Sequence, residues 1–136
     1  MELPIKVNGV LIHNNKILLI KRKPEDGGFW QTVTGTLEEG ETLKDTLVRE
    51  IEEEVGIKEN NIQEISDFVY RFNWDKKGWC QTDYVFAVLV DTDKVVLSHE
   101  HTDFVWLDPE EAIERVKTQG NKEAIKKVLE WLKGQE

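Results

Sequence analysis

The stretch that most constrains this chain is GTLEEGETLKDTLVREIEEEVGI, residues 35–57, in which four of the five positions from Glu50 to Glu54 are glutamate. Thr42 followed by Asp45 resembles a helix start, and Gly56 after Val55 suits a C-cap. The spacing therefore predicts a helix from about Leu43 to about Val55. At about 100° per residue, Leu43, Leu47, Val48, Ile51 and Val55 form one apolar arc for the core. Glu50, Glu53 and Glu54 fall on an adjoining arc, because residues three and four apart are neighbours on a helix surface. Each such like-charged pair costs roughly 0.2 to 0.5 kcal/mol, and acids in a last turn also oppose the helix dipole. A hard divalent cation turns that cost into a gain, since Mg2+ takes oxygen ligands and favours one or two carboxylates together with substrate phosphates. Taken alone, the helix is explained equally well as a solvated acidic face. The residues before it alter the balance. Gly35 and Gly40 bracket a tight acidic loop, and Glu41, Arg49 and Glu50 sit at spacings that a solvated face has no reason to select.

Composition narrows what such a helix can serve. With 136 residues, 39% of them hydrophobic, the chain is expected to form one domain over residues 1–136 with a core that needs no staples. Its single cysteine, Cys80, excludes an internal disulfide framework and an all-cysteine metal site, which points to an intracellular protein. The start, MELPIKVNGVLIHNN, has no basic region followed by a long apolar run, and no stretch approaches the roughly 20 apolar residues of a membrane span. A cytoplasmic location and no membrane partner are expected. The formal charge of -9 argues against non-specific nucleic-acid binding, which depends on Lys and Arg displacing counterions. Any polyphosphate partner would need cations to bridge the repulsion.

The rest of the chain alternates strands and helices without repeats or linkers. Val7 to Ile12 and Lys16 to Arg22 read as a hairpin about Asn14-Asn15. Phe29 to Thr34 reads as a third strand after the turn-rich Pro24-Glu25-Asp26-Gly27-Gly28, with further strands near Ile65 to Phe72, Thr82 to Val90 and Asp103 to Leu107. A helix is expected after Asp108 as N-cap with Pro109 in its first turn, and a second from Asn121 with Ile125, Val128, Leu129 and Leu132 on one stripe. The expected class is α+β, an α/β/α sandwich with a mixed sheet covered by helices.

Residues 35–57 resemble the Nudix box, Gly-x5-Glu-x7-Arg-Glu-U-x-Glu-Glu-x-Gly-U with U a bulky aliphatic. The match holds at every fixed position: Gly35, Glu41, Arg49, Glu50, Ile51, Glu53, Glu54, Gly56 and Ile57. The resemblance implies a Nudix hydrolase that cleaves a nucleoside diphosphate linked to a further group, using a Mg2+ or Mn2+ cluster on a loop-helix-loop. It implies Glu50, Glu53 and Glu54 as metal ligands or water activators, Arg49 as orienting those carboxylates, and Glu41 as supporting the loop or an outer metal. Clustered carboxylates suit phosphoanhydride cleavage, which needs neutralised phosphate oxygens, an in-line water and a base. Which glutamate is the base is left open. A non-catalytic nucleotide-sensing module is the reading from another class, and the intact acidic cluster counts against it.

Phe29-Trp30-Gln31-Thr32-Val33-Thr34-Gly35, with Glu100-His101 ahead of Trp106-Leu107-Asp108, is similar to the dihydroneopterin triphosphate diphosphatases. Asymmetrical dinucleoside tetraphosphate (Ap4A) hydrolases, the alternative, more often carry proline and lysine before the first box glycine, where this chain has Val33-Thr34. The subgroup likeness implies Glu100 as a further catalytic and metal-binding residue, substrate contacts from Arg22 and Thr34, and His101, Thr118 and Asn121 close to the substrate. It implies release of pyrophosphate from a pterin or purine triphosphate. Each has a blander account: Glu100 as a polar loop residue, and Lys21, Arg22 and Lys23 as a solvated strand end. His99 and His101 flank Glu100, yet no third strong nitrogen or sulfur ligand for zinc is evident. Trp74 and Trp79 lie in a polar stretch suited to ring stacking or to a dimer surface, so a monomer and a homodimer both stay open.

Overall fold

The computed structural model describes residues 4–76 and 79–135, except for the side chains of residues 74–76 and 79. The stacking or dimer role expected of Trp74 and Trp79 therefore lies outside the described side chains.

The strands are β1 (Ile5–His13), β2 (Lys16–Arg22), β3 (Trp30–Gln31), β4 (Val33–Thr36), β5 (Ile62–Ile65), β6 (Tyr70–Lys76), β7 (Trp79–Val90) and β8 (His101–Leu107). The helices are α1 (Leu43–Val55), α2 (Pro109–Arg115) and α3 (Gln119–Gly134). The strands form one mixed sheet in which β1 pairs parallel with β7 and the remaining ladders are antiparallel. None of the described helices is long and apolar enough to cross a membrane.

Strand alternation sorts the core into two layers. Val7, Leu11, Leu18, Ile20, Phe86 and Val88 face α1, where they meet Leu47, Ile51 and Val55. Val10, Ile12, Ile17, Leu19, Val85 and Ala87 face α2 and α3, where they meet Ala112, Ala124, Ile125 and Val128. Because successive side chains point to opposite faces, these strands read as near-continuous apolar runs covered on both sides. This is the expected α/β/α sandwich of α+β class.

The β1–β2 hairpin turns through Asn14 and Asn15, at φ 49° and 63°, a conformation that asparagine tolerates better than most residues. The two strands pair only near the turn, at Ile12 with Ile17 and His13 with Lys16. Beyond that they part, and the expected third strand, Phe29 to Thr34, divides to fill the fork. Its first part, β3, pairs with β2, and its second part, β4, pairs with β1. Thr32 lies at the crossing, fully buried, with its Oγ1 2.7 Å from Asn8 Oδ1 and 2.8 Å from Asn121 Oδ1. A single continuous strand could not bond to both arms of the fork, which is why that expectation fails.

Two other expectations change. The segment from Ile65 to Phe72 is interrupted: buried Ser66 accepts the Ala87 amide through its hydroxyl, and β5 and β6 pair with different parts of β7. The last helix begins at Gln119 rather than Asn121, because Thr118 caps it by accepting the Asn121 amide at 3.2 Å. Asp108 does precede α2, but its side chain makes no capping hydrogen bond; Pro109 at the first turn sets the start.

Candidate active site

Helix α1 matches its expected bounds, and a reciprocal capping box starts it. Thr42 Oγ1 accepts the Asp45 amide at 3.1 Å, and Asp45 Oδ2 accepts the Thr42 amide at 3.0 Å. Gly56, at φ 71°, ends it in the left-handed region. The following segment docks on the helix end: the Val96 amide donates to the Val55 carbonyl at 2.9 Å and the Ser98 amide to the Glu54 carbonyl at 3.1 Å. These bonds satisfy terminal carbonyls and bring Glu100, beyond Ser98, into the electrostatic neighbourhood of Glu50 and Glu54.

Arg49 organises the helix surface. Its guanidinium forks onto Glu41, with Nε to Oε2 at 2.8 Å and Nη2 to Oε1 at 3.0 Å. Nη1 donates to Glu50 Oε1 at 2.8 Å and to Glu53 Oε2 at 3.3 Å, while Nη2 reaches the Thr36 carbonyl at 3.3 Å. Thr46 Oγ1 and the Glu38 amide also donate to Glu41 Oε1, so Glu41 closes the loop onto the helix. The hydrogen bond from Arg49 holds the Glu41 carboxyl down at about 2, and the same bond raises Arg49 above its ordinary range.

The three box glutamates differ in their surroundings. Glu53 is exposed. Glu50 is half-buried, and burial pushes its carboxyl up, with the charges of Glu53 and Glu100 adding to the effect and Arg49 opposing it. Glu54 is not on an open acidic face: it is 8% exposed, and its buried Oε2 has no hydrogen-bond partner among the described residues. Burial first, then the charges of Glu50, Glu100 and Glu53, push its carboxyl up to about 8, against a backbone hydrogen bond from Thr34. Among the described residues no three acidic, histidine or cysteine groups stand close enough to form a ready-made metal cluster. The expected convergence of three carboxylates is thus only partial, because Arg49 draws Glu50 and Glu53 toward itself while Glu54 turns inward.

Two concave regions meet beside these groups. An acidic cleft of about 320 Å³ is lined by Arg22, Asp26, Gln31, Thr34, Glu54, Glu100 and His101. A larger pocket of about 570 Å³ lies on the α3 side of the sheet, with Phe29, Tyr70 and Phe72 among its walls and Thr118 and Asn121 at the N-terminus of α3. Arg22, Gln31 and Thr34 line both, so the two spaces share a wall at the mouth of the β1–β2 fork. Strand β4 explains the junction: alternation sends Val33 to the α1 layer and Thr34 to the pocket, and Gly35 returns to the α1 side against Glu50.

His101 is buried, with Nε2 3.3 Å from Gln31 Nε2 and, among the described residues, no partner for Nδ1; burial lowers its pKa. Arg22 stacks over Phe29, 5.3 Å from the ring centre, and Lys21 lies 5.8 Å from the centre of Trp30. Of the sequence-derived candidates, Glu54, Glu100, His101, Arg22 and Thr34 line the cleft, and Arg22, Thr34, Thr118 and Asn121 line the pocket. Glu50 and Glu53, both tied to Arg49 on α1, are not part of the cleft wall. Sequence reasoning missed Gln31, which lies inside the Phe29 to Gly35 stretch but received no role there, and the pocket residues Lys6, Asn8, Gln81 and Asp83, which carry no motif.

The NUDIX domain family matches residues 3–132. The dihydroneopterin triphosphate diphosphatase of Haemophilus influenzae is 36% identical over 126 residues, covering 85% of this chain and 79% of that one. The solved dihydroneopterin triphosphate pyrophosphohydrolase of E. coli superposes with a TM-score of 0.77 at 25% identity, covering 89% of this chain and 91% of that one. An Ap4A hydrolase of C. elegans, solved as a binary complex, superposes with a TM-score of 0.81 at 21% identity over 97% of this chain and 99% of that one, a likeness of fold alone. With the box intact on a capped helix beside an acidic cleft, the chain belongs to the Nudix family and is a hydrolase of phosphoanhydride bonds.

Proposed function

We propose that this hydrolase cleaves a ring-bearing triphosphate, a pterin or purine nucleoside triphosphate, to the monophosphate and pyrophosphate. The observation that carries the reading is the shared wall of Arg22, Gln31 and Thr34 between the aromatic pocket and the acidic cleft. A ring lying between Phe29, Tyr70 and Phe72 directs its phosphates past Arg22 toward Glu54 and Glu100. Arg22 offers the positive charge a phosphate needs at that junction, and Thr118 and Asn121 meet the ring side of the substrate.

The residues fit a divalent cation, Mg2+ or Mn2+. Glu54 Oε2 is a buried oxygen with no partner among the described residues, and Gly35 leaves the space that the Glu50 carboxylate occupies. Glu50, Glu53, Glu54 and Glu100 form an all-oxygen donor set of the kind such ions take. A cation bound there supplies neutralisation of phosphate oxygens and a more acidic attacking water. Arg49 holds Glu50 and Glu53 in place, and whichever glutamate stays outside direct ligation receives the proton of the attacking water. His101 lies in the cleft wall, where it positions Gln31.

The test is pyrophosphate and phosphate release from dihydroneopterin triphosphate, dATP, 8-oxo-dGTP and Ap4A, with and without Mg2+, alongside Glu53→Gln and Glu54→Gln. Metal-dependent pyrophosphate release, strongest on a triphosphate and lost in both variants, supports the reading. Preference for Ap4A, yielding ATP and AMP, keeps the chemistry and overturns the substrate. Absence of turnover with all four overturns the reading and favours a binding module.

A further inference from the structure

The floor of the aromatic pocket holds a polar pair that neither the box nor the cleft uses. Gln81 and Asp83, two residues apart on β7, point to the same side of the sheet and line the pocket. Gln81 is 7% exposed, and its Nε2 donates to Asp83 Oδ1 at 2.5 Å. Asp83 is half-buried across the β6 ladder from Phe72, and its neighbour in the β1 register is Lys6. Burial pushes its carboxyl up, while the Gln81 hydrogen bond and the Lys6 charge hold it down. Withdrawing a carboxylate from water beside aromatic rings costs free energy unless donors meet it. A tie between residues two apart on one strand does not require that cost.

We propose that Asp83, held by Gln81, is a specificity-determining residue that reads the adjacent N–H and NH2 groups of a 2-amino-4-oxo-pyrimidine ring. That edge is common to guanine and pterins. The inference rests on the assignment of this pocket to the substrate ring. A carboxylate offers only acceptors, and a Gln81 amide that commits its NH2 to Asp83 Oδ1 leaves its own carbonyl as a further acceptor. Two neighbouring acceptors complement two neighbouring donors. Adenine instead presents a ring nitrogen acceptor beside its amino group, so a lone pair would face the carboxylate. Selectivity then comes from repulsion of the wrong ring as well as attraction of the right one. Hypoxanthine keeps the ring N–H and lacks the 2-amino group, which isolates half of the contact.

The experiment compares kcat and KM for dGTP, dITP and dATP in the wild type and in Asp83→Asn, with thermal melts as a folding control. The wild type is expected to prefer dGTP over dITP in kcat/KM by at least about tenfold, because a site built to bond a donor rejects the analogue that lacks it. In Asp83→Asn that ratio is expected to fall toward one, the change residing mainly in KM. An equal response of the wild type to dGTP and dITP, or an unchanged ratio in the variant, overturns the proposal. Should Asp83→Asn fail to fold, Asp83→Ser replaces it in the same comparison. If the wild type hydrolyses no triphosphate, the substrate reading itself fails. Calorimetry with GMP, IMP and AMP then tests ring recognition separately, and equal binding of GMP and IMP overturns the inference.

Discussion

Gly35 lies against the Glu50 side chain so closely that a β-carbon at position 35 would collide with Cγ and Cδ of Glu50 and stand 2.7 Å from its Oε1. The first glycine of the box is therefore a packing requirement of a glutamate fifteen positions later. Its backbone does not require a left-handed conformation; among the described residues the positive-φ glycines are Gly27, Gly28, Gly40 and Gly56. Gly35→Ala is expected to expel Glu50 and lower kcat by about 10²-fold, the scale of an ångström-sized misplacement, while the melting temperature moves by only a few degrees. Retained activity with a large loss of stability would reverse that assignment.

Arg49 ties loop to helix through side chains that are largely shielded, Glu41 at 19% and Glu50 at 15% exposure. Arg49→Ala should destabilise the protein in urea unfolding, since it strands the half-buried Glu50 carboxylate and undoes the fork on Glu41. Lysine restores the charge but not the fork, so Arg49→Lys should recover less than half of that loss.

Glu53 separates structure from chemistry. Its contact with Arg49 is a 3.3 Å pair four residues apart, with Glu53 59% exposed. Such pairs contribute little, so Glu53→Gln should change stability by less than about 0.5 kcal/mol. A loss of turnover in that variant at unchanged stability is the expected result, measured on one preparation by urea unfolding and steady-state kinetics.

Glu54 and Glu41 predict opposite pH responses. Glu54 has a folded pKa of about 8 against an ordinary 4.5, so between these values the native state binds the proton that the unfolded chain has released. Stability of the metal-free protein should thus fall as pH rises from about 4.5 to about 8, and Glu54→Gln should remove that slope. Mg2+ must displace the same proton, so its stabilising effect should grow over the same window. Glu41, lowered to about 2, contributes stability above about 4.5 that is lost as pH falls through about 2. Thermal melts in metal-free and Mg2+ buffers from pH 2 to pH 9 would resolve all three.

Thr32 joins Asn8 on β1 to Asn121 on α3 in a buried triad. A hydroxyl has one hydrogen, so one of the two amides must turn its NH2 toward Thr32. Thr32→Val leaves the amides without that link and should cost about 1 to 3 kcal/mol. Since Asn8 and Asn121 both line the pocket, KM for the preferred triphosphate should rise more than kcat falls.

Helix α1, its caps and the order of Glu41, Arg49, Glu50, Glu53 and Glu54 were legible from the sequence, because contacts three and four residues apart follow from helical geometry alone. So was the two-faced sheet, since alternation is local to each strand. The burial of Glu54 was not legible: it depends on the segment through Val96 and Ser98 docking on the end of α1, a contact set by distant backbone groups. The division of Phe29 to Thr34 was equally hidden, because it follows from the parting of β1 and β2 and from Asn121 reaching back to Thr32. Gln81 and Asp83 carried no signal either, as the β1–β7 and β6–β7 registers decide that they face a pocket. Helical spacing alone settled which acids share one helix and that the arc through Leu47, Ile51 and Val55 enters the core. Tertiary structure alone decided which acid lost its water and which side chains surround the pocket, because desolvation and strand register arise only when remote segments pack together.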